Sequence, residues 1–270
     1  MNRLALSWDA RGDAGAPGVV LVHSLGADRS IWDSLSGSLA ATYRVVRLDL
    51  RGHGASPSPP GPYSLEELSD DVLGVADAAG LGRFHLCGIS LGGLIGLFLA
   101  ARHPTRLSTL VAANTAAKIG TLAHWDERSR AVRESGMDGI ADTVVARWFA
   151  PGFASREPGK LAQARRVFAS TNADGYVACC HALGTADLTG ELARIEVPTL
   201  VVGGEHDVST PVASARALHG AIRESQLAVL ADAGHLSNLE APAAFDRAVA
   251  EFLLSFASRH GPNPRGRDPR

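Results

Sequence analysis

Ser90 stands within Gly88-Ile89-Ser90-Leu91-Gly92, a G-x-S-x-G sequence. A serine hydroxyl is a weak nucleophile. It attacks a carbonyl only when a base removes its proton and an acid orients that base. Two later segments offer such groups, Gly203-Gly204-Glu205-His206-Asp207 and Ala231-Asp232-Ala233-Gly234-His235. A serine displayed on this type of turn is followed along the chain first by its acid and then by its histidine. That order selects Asp207 as the acid, with Glu205 its rival on the same loop. It selects His235 as the base, with His206 its rival. The oxyanion formed on attack needs two backbone N–H groups aimed at it. Leu91, directly after the serine, offers one. The loop His23-Ser24-Leu25-Gly26 offers the other, and position favours Leu25.

These residues work together only if the chain delivers them to one place. G-x-S-x-G serves as a nucleophile turn when a strand precedes it and a helix follows. The apolar run 84–87 reads as that strand and 91–101 as that helix. Further strand candidates are 18–22, 44–50, 107–113, 197–202 and 226–230. Short apolar runs bounded by loops are the pattern of buried parallel strands. Asp207 and His235 fall just past the ends of two of these runs, on the rim where open parallel sheets bind ligands. Ser64 and Glu67 form a capping box, followed by Leu65, Leu68 and Val72 at helical spacing, so a helix begins at Ser64. Strands alternating with helices predict a doubly wound, mostly parallel sheet.

The stretch 116–191 has a different texture, with no β-rich run and helical patterns near 123–134, 139–149 and 161–170. It reads as a helical cap inserted into an α/β core made of 1–115 and 192–257. A final amphipathic helix spans about 242–256. The Arg-, Pro- and Gly-rich tail 258–270 is expected to be disordered.

Composition narrows the function classes. A chain of 270 residues, 46% apolar and 20% charged, can bury a real core. A net charge of −2 offers no electrostatic footprint for nucleic acid or an anionic membrane. Cys87, Cys179 and Cys180 are odd in number and lack ligand-like spacing, so neither a disulfide framework nor a zinc site is expected. The N-terminal apolar run is too short for a signal peptide and the longest apolar stretch too short to span a bilayer, so the expected location is the cytoplasm.

Several segments together carry a family resemblance. Gly88-Ile89-Ser90-Leu91-Gly92-Gly93, Asp49-Leu50-Arg51-Gly52-His53-Gly54-Ala55-Ser56 and Gly234-His235-Leu236-Ser237-Asn238 resemble the α/β-hydrolase superfamily. Within it, Ser24-Leu25-Gly26, Gly61-Pro62-Tyr63-Ser64, Asn114-Thr115-Ala116-Ala117-Lys118-Ile119-Gly120 and Arg147-Trp148-Phe149 are similar to the 3-oxoadipate enol-lactonase family, from about Val19 to Leu254. His23 departs from that pattern, where a small polar residue is expected. The resemblance implies the α/β-hydrolase fold, hydrolysis of an anionic enol-lactone in the β-ketoadipate route of aromatic catabolism, and no metal or organic cofactor. A carboxylesterase or a carbon–carbon bond hydrolase of another small carboxylate is the alternative. A non-catalytic binding protein on the same fold is disfavoured by the intact Ser90, Asp207 and His235 set.

The implied substrate carries a carboxylate, so a cation should meet it. At about 100° per residue, Arg128 falls near −60° and Arg133 near +80° from Trp125 on a helical wheel. Trp125, Arg128, Arg133 and Trp148 are therefore the candidate substrate contacts. His53 reads as a loop-ordering residue and the three cysteines as packing.

Overall fold

A computed structural model describes residues 4–260 of the chain. The first half runs β1 (Trp8–Arg11), β2 (Gly18–Val22), α1 (Asp33–Leu39), β3 (Arg44–Leu48), α2 (Leu65–Ala78), β4 (Phe84–Ile89), α3 (Leu91–Arg102) and β5 (Leu107–Ala113). Four helices follow, α4 (Leu122–Val145), α5 (Phe153–Arg156), α6 (Pro158–Ser170) and α7 (Ala173–Thr185). The chain then returns through β6 (Thr199–Gly204), α8 (Val212–Ala221), β7 (Ser225–Leu230), α9 (Ser237–Glu240) and α10 (Pro242–His260).

The seven strands form one sheet in the order β1-β3-β2-β4-β5-β6-β7. Only β1 is antiparallel, pairing Trp8 with Leu48 and Arg11 with Val45. β2, β4 and β6 are buried along their whole length, as expected of strands covered on both faces. Helix α3 is buried from Leu91 to Ala100 and sits against β4 and β5 in the middle of the molecule. It is apolar all round because no face of it meets water. α1 packs on α10 and α2 on α3, so helices flank the sheet. The Ser64 capping box forms as read: Ser64 Oγ accepts from the Glu67 N–H at 3.1 Å and Glu67 Oε2 accepts from the Ser64 N–H at 2.9 Å.

Several differences from the sequence reading have simple causes. β1 is a half-exposed edge strand of only four residues, Trp8-Asp9-Ala10-Arg11, too short for its alternation to stand out. The two cap helices read near 123–134 and 139–149 lie on either side of Gly136, whose φ of 70° breaks α4 between them. The helix read at 139–149 ends at Val145, which frees Arg147, Trp148 and Phe149 to turn toward the sheet rim. Helix α10 runs on to His260, four residues past the expected end. Its last three residues overlap the tail read as disordered, and 261–270 lie outside the described residues. Cys87, Cys179 and Cys180 are free and buried.

Candidate active site

Ser90 adopts φ 56° and ψ −116°, a strained conformation for a residue with a side chain. It is fixed from both sides. Its N–H donates to Ala113 O at 2.9 Å, and Thr115 Oγ1 donates to its carbonyl at 2.8 Å. The glycines of the motif are required by space. A Cβ on Gly88 would collide with Gly92 O, and one on Gly92 with Val22 O. Leu91 is the first residue of α3, so its N–H is among those at a helix start that have no acceptor within the helix. The same helix start favours negative charge.

The loop that carries Leu25 is braced by two buried histidines. His23 Nδ1–H donates to Ser24 O at 2.7 Å, and its Nε2 accepts from the Leu50 N–H at 2.9 Å. His53 Nδ1–H donates to Arg51 O at 3.0 Å, and its Nε2 accepts from the Gly26 N–H at 3.0 Å. Each ring therefore uses one nitrogen as donor and one as acceptor, which requires the neutral form. Burial, followed by the neighbouring His23, pushes the His53 pKa down to about 3 against the pull of the Arg51 carbonyl. Burial also lowers His23, against its Ser24 hydrogen bond and the charges of Asp49 and Asp28. The departure at His23 is thus a structural brace.

Asp207 follows β6 and is 4% exposed. Its Oδ2 accepts from His235 Nδ1 at 2.9 Å, Asn114 Nδ2 at 3.0 Å and Thr210 Oγ1 at 2.7 Å. Its Oδ1 accepts from the N–H groups of Ser209 and Thr210 at 2.8 and 2.9 Å. Burial alone would raise this carboxyl. His235, Asn114 and Thr210 outweigh it and bring the pKa down to about 2. The acid is thus held ionised and aimed at the imidazole. The rivals stand elsewhere: Glu205 and His206 are exposed on the surface side of the same loop. With Asp232 they bring three ligand-capable atoms within 4.8 Å of one another. None of the three lines the cavity that holds Ser90.

Two residues that sequence reasoning passed over set this geometry. Asn114, at the end of β5 with φ 43°, donates to Asp207 and also to Gly234 O at 3.1 Å, and accepts from Ser237 Oγ at 2.6 Å. It ties the acid loop to the histidine loop. Its only sequence signal was its place in the Asn114–Gly120 segment. Glu240, whose side chain is 3% exposed, accepts from the Gly234 N–H at 2.8 Å and the Ala150 N–H at 2.9 Å. It joins the histidine loop to the segment after α4. Gly234 permits that approach, since a Cβ there would lie 2.7 Å from Ala150 N.

Ser90 and His235 share a cavity of about 220 Å³ with Ser24, Leu25, Trp125, Arg128, Arg147, Trp148 and Tyr176. Arg128 is half-buried and its Nη1 donates to Tyr176 Oη at 3.3 Å. Trp125 spends its indole N–H on Ile119 O at 2.6 Å, so it offers the cavity only apolar surface. Trp148 packs edge-on against Phe168 at 5.7 Å.

Arg133 must be corrected: it does not reach this cavity. Helix α4 is a wall between two spaces. His124, Trp125 and Arg128 line the side that holds Ser90 and His235, whereas Asp126, Ser129 and Arg133 line a cleft with Pro59, Asn172 and His181. The residues at negative wheel angles from Trp125 face one space and those at positive angles the other. The cation found in its place is Arg147, which also donates from Nη2 to Val208 O at 3.3 Å.

Ser90 on a tight strand-to-helix turn, His235 hydrogen-bonded to Asp207 and the start of α3, all at the rim of one mostly parallel sheet, have the arrangement of a hydrolase fold. A family profile described as alpha/beta hydrolase fold matches residues 17–242, and the chain belongs to that family. A curated relative from Acinetobacter baylyi, 3-oxoadipate enol-lactonase 2, is 40% identical over 94% of both chains. The crystal structure of an enol-lactonase from Burkholderia xenovorans LB400 matches with a TM-score of 0.91 and 42% identity, covering 94% of this chain and 98% of that one. A thermophilic esterase from Thermogutta terrifontis matches with a TM-score of 0.88 and 30% identity over 93% of each chain. Among the described residues, no helix is long and apolar enough to cross a membrane.

Proposed function

We propose that this chain opens the lactone ring of 3-oxoadipate enol-lactone to give 3-oxoadipate. The observation that carries the proposal is the single cavity that joins Ser90 and His235 to two arginines, Arg128 and Arg147. The similarity to enol-lactonases along nearly the whole chain supports the same substrate. Ser90 Oγ attacks the ring carbonyl and His235 Nε2 takes its proton. Asp207 fixes the tautomer through Nδ1–H and stabilises the imidazolium. The tetrahedral oxyanion is received by the N–H groups of Leu25 and Leu91. Collapse breaks the ring C–O bond. The leaving group is an enolate, more stable than an alkoxide; it takes the proton that His235 Nε2 holds and becomes the 3-oxo group, which leaves His235 neutral. Water, deprotonated by His235, then cleaves the acyl–serine ester and restores Ser90.

The carboxylate of the substrate is met by the guanidinium groups of Arg128 and Arg147. The ring lies against the apolar faces of Trp125 and Trp148. With a net charge of only −2 on the whole chain, attraction for an anion is local to these side chains. The test is a direct ultraviolet assay of enol-lactone disappearance beside hydrolysis of a simple aryl ester, in the native protein and in Ser90→Ala. The lactone should be the far better substrate, and Ser90→Ala should lose several orders of magnitude in turnover. Higher catalytic efficiency on the ester would overturn the substrate, and near-normal turnover in Ser90→Ala the mechanism.

A further inference from the structure

Tyr176, on α7, lines the cavity that holds Ser90 and His235, and no step of the proposed hydrolysis uses it. It is buried. Its ring is fixed edge-on against Phe168, with centroids 5.4 Å apart. It also abuts the oxyanion loop, where a Cβ on Gly26 would lie 3.1 Å from the tyrosine ring. A phenol both accepts and donates hydrogen bonds. The acceptor is engaged, because Arg128 Nη1 donates to Tyr176 Oη at 3.3 Å. The donor is free: among the described residues no atom accepts from the Tyr176 O–H. Burial, then the neighbouring Cys180 thiol, pushes the pKa of this phenol up against the pull of Arg128, so the proton stays on it. A buried O–H without an acceptor is costly, and the cavity beside it is where an acceptor can come from.

We propose that the Tyr176 O–H donates to the carboxylate of the substrate, beside the Arg128 guanidinium, and that Tyr176 thereby helps select anionic substrates. This rests on the hydrolysis proposed for the same cavity and adds a contact to it. Charge chooses the carboxylate over the other oxygens of the substrate. Arg128 lies next to the phenol, so the most negative group of the ligand is drawn to the same place. The oxygen of the attacked carbonyl goes instead to the N–H groups of Leu25 and Leu91. The guanidinium that donates to Oη also polarises the phenol, which makes its O–H a stronger donor. A carboxylate seated here takes one bond from Tyr176 and another from an Arg128 nitrogen not engaged with Oη. A neutral amide in the same place gains less, because hydrogen bonds to an ionised group are roughly twice as strong as neutral ones.

The test uses a ligand that cannot react. Cyclopentylacetate keeps a five-membered ring and an acetate arm but has no ring carbonyl for Ser90 to attack. Its affinity for the full chain, by isothermal titration calorimetry, is compared with that of cyclopentylacetamide in the native protein, Tyr176→Phe, Arg128→Ala and the double variant. Tyr176→Phe should weaken the carboxylate about tenfold and the amide no more than about threefold. In the Arg128→Ala background it should still weaken the carboxylate by about threefold or more. On the lactone it should raise KM by about tenfold and leave kcat within about twofold. Should Tyr176→Phe fold poorly, 3-fluorotyrosine at the three tyrosines keeps every hydroxyl, and one ¹⁹F resonance should move further with the carboxylate than with the amide. Absence of saturable carboxylate binding by the native protein overturns the contact, as do equal losses for the two ligands or ¹⁹F resonances that neither ligand moves. So does no further loss in the Arg128→Ala background, since Tyr176 would then act only by holding the arginine. A fall in kcat with KM unchanged would place the O–H at the reacting atoms and overturn it too. A protein that binds the two ligands as expected but does not turn over the lactone keeps this contact and loses the enol-lactone substrate, so the two failures are separable.

Discussion

Removing Glu240 should loosen the histidine loop although the residue touches no reacting atom. Its carboxylate accepts from the Gly234 N–H at 2.8 Å and the Ala150 N–H at 2.9 Å, with Arg156 Nη2 at 3.4 Å. Gly234 and Ala150 are both buried. Glu240→Ala leaves two buried N–H groups with no acceptor and removes bonds to a charged group worth about 1.5–3 kcal/mol each, so the loss is about 3–5 kcal/mol. For a chain of this size that lowers Tm by roughly 6–20 °C. Glu240→Gln behaves differently. Both close N–H groups contact the same oxygen, Oε2, at 2.9 and 2.8 Å, and one amide carbonyl can accept both. Only the charge assistance is lost, about 1–2 kcal/mol. In the alanine variant His235, one residue from Gly234, loses its register on Ser90, and a displacement of about 1 Å costs about 10²-fold in rate. Urea unfolding and kcat/KM on the lactone measure the two effects. Stability of Glu240→Ala within 1 kcal/mol of the native protein, or an alanine variant as active as the glutamine one, would refute the reasoning.

Asn114→Ala should lower kcat by about 10–10²-fold with KM little changed, because the acid loses one of the donors that hold its carboxylate toward His235; steady-state kinetics decide it. Arg128→Ala and Arg147→Ala should each raise KM for the lactone by about tenfold and leave a neutral aryl ester unaffected, whereas Arg133→Ala should change neither. Stability should fall with acid in two stages. Folded His53 refuses, down to about pH 3, a proton that the unfolded chain takes up near its ordinary value of 6.5. Between those limits each pH unit of acidification costs up to about 1.4 kcal/mol, and urea midpoints measured from pH 7 to pH 4 should show that slope flattened in His53→Gln. Asp207 adds to the loss as pH drops from the ordinary carboxyl value of 3.8 to about 2, where its ionised folded form is finally protonated.

What could be read ahead of the structure followed from local rules. Ser90 was legible because a side chain at φ 56° between a strand and a helix needs small residues two positions either side. Asp207 and His235 were legible because each lies just past a buried apolar strand, and parallel strands deliver their C-terminal ends to one rim. Arg133 shows where such rules stop. A helical wheel gives the angle between two residues and says nothing of what stands opposite each face. On α4 the two sides of Trp125 look into different cavities. Arg147 was hidden for a related reason: the pattern continued the helix to 149, and its end at Val145 is what turns Arg147 and Trp148 toward the site.

By itself, then, the amino-acid sequence determined the strand–helix alternation, the nucleophile turn and the order of serine, acid and histidine, because each depends on periodicity or on backbone space over a few neighbouring residues. Contacts across long separations were decided by the tertiary structure alone. Asn114 meets Asp207 across 93 positions, Glu240 meets Ala150 across 90, and His53 meets Gly26 across 27. Each joins two loops whose approach is fixed by how the sheet orders its strands and how the four helices settle on its rim. No local spacing encodes such a distance. The hydrogen-bonded Asp207 and the braced loop that carries Leu25 therefore exist only in the folded chain.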